Sequence, residues 1–148
     1  MEHSTKQLLF GLMGGIFHDT RKILDEIFKN MNLSRQEWLL LAMLRLQPKG
    51  LLQSEGMKYV GVEKSYFTKM LNQLENKGYI IREIDPSNRR NRIIKANPKN
   101  TKKINKVFKI IYDYTDNVQA SISEEEAKTV RDILLKVQKS INKYNNPE

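Results

Sequence analysis

Apolar residues in this chain recur in a helical rhythm from the start. Leu8, Leu9, Leu12, Met13, Ile16, Phe17, Ile23, Leu24, Ile27, Phe28 and Met31 fall in groups about one turn apart and predict one long helix over 5–31 with a wide apolar stripe. A stripe that wide needs a partner surface. Asn32-Leu33-Ser34 breaks the pattern, and Ser34 with Glu37 matches the S-x-x-E capping box. The helix it starts runs through Trp38, Leu41, Met43 and Leu44 and ends near Pro48 and Gly50. Being nearly all apolar, it is expected at the centre. A short third helix, about Gln53 to Tyr59, is closed by Gly61, where a left-handed residue turns the chain into the next helix. There Phe67, Met70, Leu71 and Leu74 recur at i, i+3, i+4 and i+7, and Lys77-Gly78 ends the run.

The period then changes. Tyr79 to Ile84 and Arg92 to Ala96 are β-prone, and Asp85-Pro86-Ser87-Asn88-Arg89-Arg90-Asn91 between them predicts a hairpin with an extended tip. Pro98 opens a basic helix whose apolar side is Ile104, Val107, Phe108, Ile111 and Val118. A second capping box, Ser123 and Glu126, starts a last helix with Val130, Ile133, Leu134, Val137 and Ile141 on one side, before a frayed tail from Asn145 to Glu148. The fold class is mostly α with a small β wing. From Gly50 to Ala96 the order is helix, tight turn, amphipathic helix, strand, basic turn, strand, which is a winged helix-turn-helix, a DNA-reading arrangement. It occupies 34–97, and the flanking helices of 5–31 and 98–145 carry more apolar surface than one chain can cover. A homodimer is therefore expected, and Gly11, Gly14 and Gly15 fit close helix approach across it.

Composition narrows the partners. At 148 residues the chain holds one folding unit, and its net charge of +9 favours a polyanion, nucleic acid or an anionic membrane. Cysteine is absent, which excludes a disulfide, a thiol nucleophile and a Cys-based zinc site and points to a cytoplasmic protein. Apolar runs such as Leu8 to Phe17 are broken by glycine well short of a bilayer span, and no export signal is read, so a membrane is not expected. His3 and His18, the only histidines, are far apart and have no carboxylate at i+3 or i+4. No Gly-rich phosphate loop, Ser-His-Asp order or paired carboxylates are found. The expectation is no metal, no cofactor, no catalytic residue and no enzyme.

The face of the fourth helix opposite its apolar side centres on Ser65, Lys69 and Asn72, flanked by Tyr66, Thr68 and Gln73. An α-helix fits the major groove, where Lys donates to guanine, Asn or Gln pairs with adenine, and Ser or Thr reaches bases or phosphates. An ordinary solvated polar face looks similar, so the hairpin carries weight. Arg89, Arg90 and Arg92 lie within four residues, suited to a narrow minor groove, with Glu83 and Asp85 near enough to brace one of them. Lys95, Lys99, Lys102, Lys103 and Lys106 extend the charge where phosphates would run.

These residues resemble the MarR family of bacterial winged-helix transcriptional regulators. The matching elements are Leu33-Ser34-Arg35-Gln36-Glu37-Trp38, Gln53-Ser54-Glu55, Val62-Glu63-Lys64-Ser65-Tyr66-Phe67-Thr68-Lys69, Leu74-Glu75-Asn76-Lys77-Gly78-Tyr79-Ile80 and Asp85-Pro86-Ser87-Asn88-Arg89-Arg90. The resemblance spans 1–148 as a single domain. It implies a homodimer whose first and last two helices interleave, and a repressor reading a pseudo-palindromic operator in double-stranded DNA. Gln53, Ser54 and Lys64 then join Ser65, Tyr66, Thr68, Lys69, Gln73, Arg89, Arg90 and Arg92 as DNA-binding residues. It also implies release by a small aromatic acid bound between the dimer helices and the winged helix. Phe17, His18, Arg21 and Trp38 are the candidate effector residues, since a His and an Arg on one helix could hold a carboxylate; His18 is otherwise a plain dimer-helix residue.

The departures from the family pattern are Asn88, where an acidic residue commonly precedes the wing arginines, Tyr66 in place of a small hydroxyl residue, and Ala96-Asn97-Pro98 in place of a Leu-Thr step. Gly56 stands where the third helix normally buries an aliphatic side chain, at a cost of roughly 0.5 to 1 kcal/mol relative to Ala. Two other readings stay open: a winged-helix architectural or anti-silencing protein with little base preference, and a helical protein-interaction module.

Overall fold

The structure, a computed structural model, describes residues 4–145. His3 and the end of the expected frayed tail, 146–148, lie outside them. The chain divides into two compact units, Met1–Val107 and Phe108–Glu148.

The first unit opens with α1 (Thr5–Asn30), whose N-terminus is closed by a reciprocal box between Ser4 and Gln7. Of its apolar stripe only Phe28 is buried, while Leu8, Leu12, Ile16 and Phe17 are 57–64% exposed. The predicted Ser34 and Glu37 box starts α2 (Arg35–Leu46), with Ser34 Oγ accepting from the Glu37 N–H and a Glu37 carboxylate oxygen accepting from the Ser34 N–H. Leu40, Leu41 and Leu44 on α2 are buried, as its apolar composition requires.

Two residues, Leu51 and Leu52, form β1, followed by α3 (Gln53–Val60) and α4 (Lys64–Asn76). Gly61 has φ +70° and makes the left-handed turn between these helices. A β-carbon on Gly56 would stand 3.2 to 3.3 Å from Phe67, Leu40 and Leu51 side chains. The mid-helix glycine is thus a packing device as well as a propensity cost, since it lets α3 approach α2, α4 and β1. Phe67, Met70, Leu71 and Leu74 of α4 are all at most 2% exposed.

β2 (Ile80–Asp85) and β3 (Asn88–Ala96) pair antiparallel, and β1 adds to the other edge of β3, giving the order β1-β3-β2. β1 was not legible as a strand, because two residues carry no alternation. The hairpin corrects the expected extended tip: only Pro86 and Ser87 form the turn, and the arginines belong to β3. Ile84 faces Arg92 while Asp85 faces Asn88, so Arg89, Arg90 and Asn91 are the extra residues of a bulge.

The junction after β3 is also corrected. Pro98–Asn100 is a 3-10 turn, and α5 begins at Thr101, not at Pro98. Asn97 Oδ1 accepts from the Lys99 N–H, and the side-chain amides of Asn97 and Asn100 both donate to the Gly78 carbonyl. These two asparagines therefore fasten the wing exit to the end of α4. Ile104 and Val107 of α5 (Thr101–Gln119) are buried.

The second unit holds the remainder of α5 and all of α6 (Glu124–Asn145). Ser123 and Glu126 cap α6 as expected, and this holds the Glu126 carboxyl below its ordinary value. Val130, Ile133, Leu134 and Ile141 are 41–49% exposed.

Candidate nucleic-acid interface

Burial of Phe67, Met70, Leu71 and Leu74 turns the opposite face of α4 outward, so Lys64, Ser65, Tyr66, Thr68, Lys69 and Gln73 are all exposed. Two of the expected contacts change character. Thr68 Oγ1 donates to the Lys64 carbonyl at 2.9 Å, which leaves its lone pairs but not its proton for a ligand. Asn72, expected at the centre of the face, is engaged within the chain: its Oδ1 accepts from Arg82 Nη2 at 2.8 Å.

The start of α3, the start of α4 and the wing converge on a cleft of about 320 Å³. Gln53, Ser54, Lys64, Arg90 and Arg92 line it, with Asn91, Leu52, Met57 and Phe67 completing the wall. Three cationic side chains thus meet two amides and a hydroxyl, with no carboxylate among the lining residues. Charge of one sign in a concave, partly apolar cleft concentrates its field outward. Such a site suits a phosphate-bearing partner. Arg89 lies exposed in the bulge outside this cleft, while Tyr66 borders a separate groove with Gln36, Met57, Lys58, Gly61, Val62 and Glu63.

The expected brace on a wing arginine is not made by Asp85 or Glu83. Asp85 Oδ1 accepts from the Ser87 N–H at 2.9 Å and from Ser87 Oγ at 2.7 Å, folding back on its own turn. These Ser87 bonds hold the Asp85 carboxyl below the usual carboxylate range. Glu83 accepts from Lys95 Nζ at 2.6 Å. The physical reason is reach: with a two-residue turn, an Asx-type bond to Ser87 is the local solution for Asp85, and the ladder sets Lys95 beside Glu83.

Two polar contacts escaped the sequence reading. Lys77 Nζ donates to both carboxylate oxygens of buried Glu37 at 2.9 and 3.1 Å, tying the end of α4 to the start of α2. Lys103 Nζ donates to the Lys77 carbonyl at 2.6 Å and lies 4.5 Å from the Tyr79 ring centroid. Burial, together with the Glu37 charge, raises the Tyr79 pKa. The available signal was positional: Glu37 stands at i−3, i−4 and i−7 from Leu40, Leu41 and Leu44, on the apolar stripe itself.

The four candidate effector residues are not gathered within one chain. Arg21 pairs with Asp25, and Asp25 with Arg35. Trp38 stacks on Phe28 with ring centroids 5.4 Å apart. His18 lies ten residues before Phe28, about 15 Å along the helix, and both Phe17 and His18 are exposed.

With this geometry in hand, the MarR family model matches residues 33–91. The match covers most of the winged-helix region of this chain, whose fold is the MarR-family one. The solved transcriptional regulator PA3341 is similar over 90% of this chain and 98% of its own, at 25% identity and a TM-score of 0.74. A crystal structure of MarR is also 25% identical, covering 91% of this chain and 98% of that one with a TM-score of 0.67. A point mutant of S. aureus MepR, solved bound to an oligodeoxyribonucleotide, shares the fold at 21% identity and a TM-score of 0.60, over 94% of this chain and 99% of that one. The MarR-family fold is that of a DNA-binding transcription regulator. No helix among the described residues is long and apolar enough to cross a membrane.

Proposed function

We propose that this MarR-family protein is a homodimeric repressor that reads a pseudo-palindromic operator. Lys64, Ser65, Tyr66, Thr68, Lys69 and Gln73 of α4 enter the major groove, Arg89, Arg90 and Arg92 address the adjacent minor groove, and Gln53 and Ser54 hold the backbone. The cleft that joins Gln53, Ser54, Lys64, Arg90 and Arg92 carries this reading, because it unites the starts of two helices and the wing around one kind of charge. The MepR mutant solved with an oligodeoxyribonucleotide supports DNA as the partner. The exposed stripes of α1 and α6 support a second copy of the chain.

Enrichment of duplexes from a randomised pool, followed by footprinting, tests the reading. The expected result is a two-fold symmetric site with half-sites about one DNA turn, ~10 bp, apart. Enrichment without a common sequence would favour the architectural alternative, and no enrichment the protein-interaction module. For the effector we propose an aromatic acid near Phe17, His18, Arg21 and Trp38, assembled with the second copy. Buried Trp38 Nε1, which has no hydrogen-bond partner in the described chain, favours a polar occupant there. Linkage requires DNA and acid to weaken each other by one factor, measured by Trp38 fluorescence and operator affinity.

A further inference from the structure

Arg82 stands where β2 should carry an apolar side chain. It shares a sheet face with Ile80, 1% exposed, and lies opposite Ile94, 0% exposed. Its guanidinium reaches across to α4 and is held at two points: Nε donates to Glu75 Oε2 at 3.0 Å, and Nη2 donates to Asn72 Oδ1 at 2.8 Å and also to Glu75 Oε2. Asn72 and Glu75 are one helical turn apart, and Asn72 follows Lys69 by one turn on the outward face. Two residues beyond Arg82, Ile84 pairs with Arg92 of the wing.

Apolar packing between a helix and a sheet is non-directional, so it fixes separation better than rotation. A planar fork held by two acceptors on one helix restricts rotation too. We infer that Arg82 is a positioning residue: through Asn72 and Glu75 it sets the angle between the recognition helix and the wing, and thereby discrimination between DNA sequences, without touching a base. The inference rests on the DNA-reading function proposed above.

Glu75→Ala is the decisive variant, because the two physical effects have opposite signs. Removing a carboxylate beside a polyanion strengthens binding if only charge matters, whereas loss of the clamp weakens the specific complex. The probes are a duplex enriched by the wild-type protein from a randomised pool and a mixed-sequence duplex. Glu75→Ala and Arg82→Gln are each expected to lose about tenfold on the enriched duplex, the size of one displaced base contact. On the mixed-sequence duplex neither variant should show that tenfold loss: Glu75→Ala should bind it no more weakly than the wild type, and Arg82→Gln only slightly more weakly. Asn72→Asp, which offers Arg82 a charged acceptor, should keep the wild-type ratio between the duplexes. Circular dichroism checks folding, and Asn72→Ala, which spares the ion pair, supplies the test should an ion-pair variant unfold; it is expected to lose part of the discrimination.

Glu75→Ala binding the enriched duplex as tightly as the wild type, or tighter, overturns the inference. So does an equal loss by Arg82→Gln on both duplexes with a salt slope smaller by about one, which marks a phosphate contact. A wild-type protein that enriches no duplex removes the DNA-reading function itself; enrichment with unaffected variants removes only the clamp.

Discussion

The winged-helix region and the long helices at the chain's two ends treat their apolar faces differently. In the first, Leu40, Leu41, Leu44, Phe67, Leu71, Leu74, Ile80 and Ile94 are each at most 1% exposed, so a single chain satisfies them. In α1 and α6 the apolar periodicity is as regular, yet Leu12, Ile16, Phe17, Ile133 and Leu134 stay 41–64% exposed. Regular pattern and burial are therefore separate facts. The pattern says that a helix has an apolar side; only a partner surface gives that side its stabilising energy. On the function proposed above, the winged-helix region would be a reading head complete within one chain, and the end helices would wait for a second copy.

The sharpest way to break this contrast is to make the end helices polar. Leu12→Asp with Ile16→Asp should leave the winged-helix region folded, convert a dimer to a monomer in sedimentation, and cost ~10²- to 10⁴-fold in operator affinity as avidity is lost. A wild-type protein that sediments as a monomer at micromolar concentration would remove the contrast. In the core, Leu71→Ala should cost ~2 to 5 kcal/mol in thermal or denaturant unfolding at any protein concentration. Leu134→Ala should cost less, and its effect should depend on concentration because it acts through association.

Within the reading head, Lys69→Ala should lose ~1 to 3 kcal/mol of operator binding and relax preference at one position per half-site. Arg90→Ala should lose most on A·T-rich flanks, because minor-groove width is what an arginine there detects. Equal losses for both variants on every sequence would show that neither reads sequence.

The smallest effect concerns the wing turn. The Asp85 carboxyl titrates below its ordinary value because Ser87 hydrogen-bonds its ionised form. A depressed carboxylate contributes stability that is fully present above the unfolded value, about pH 4, and is lost as pH falls through the folded one. Asp85→Asn should therefore cost a little stability at neutral pH and converge with the wild type as pH falls through the folded value, which flattens the acid limb of the stability profile. An acid limb identical to the wild type in a pH series of unfolding curves would contradict this.

Much of the site was legible because its signals are local. Ser34 and Glu37, Gly61, Gly78 and Ser123 with Glu126 act on neighbours within four residues, and the structure places each at the predicted helix end. The Phe67 to Leu74 spacing alone put Ser65, Lys69 and Gln73 outside. The wing was read less well, since a two-residue turn with a bulge on β3 and a longer tip draw on the same residues, Asp85 to Asn91. Register decides between them, and register is a relation between strands.

What the sequence determined by itself is thus the order of elements, their caps, and the outward face of the recognition helix, all consequences of chain geometry over a few residues. Tertiary structure alone decided which polar side chains are spent inside the fold. Asn72 serves Arg82 instead of standing free, Asp85 serves Ser87 instead of an arginine, and Glu37 is buried against Lys77. The Glu37 and Lys77 pair spans 40 residues of sequence. A hydrogen bond depends on where two atoms lie in space to within a few tenths of an ångström. Residue periodicity places an atom only on a face, so a distant polar partner is settled when the apolar core has fixed how helix and sheet meet.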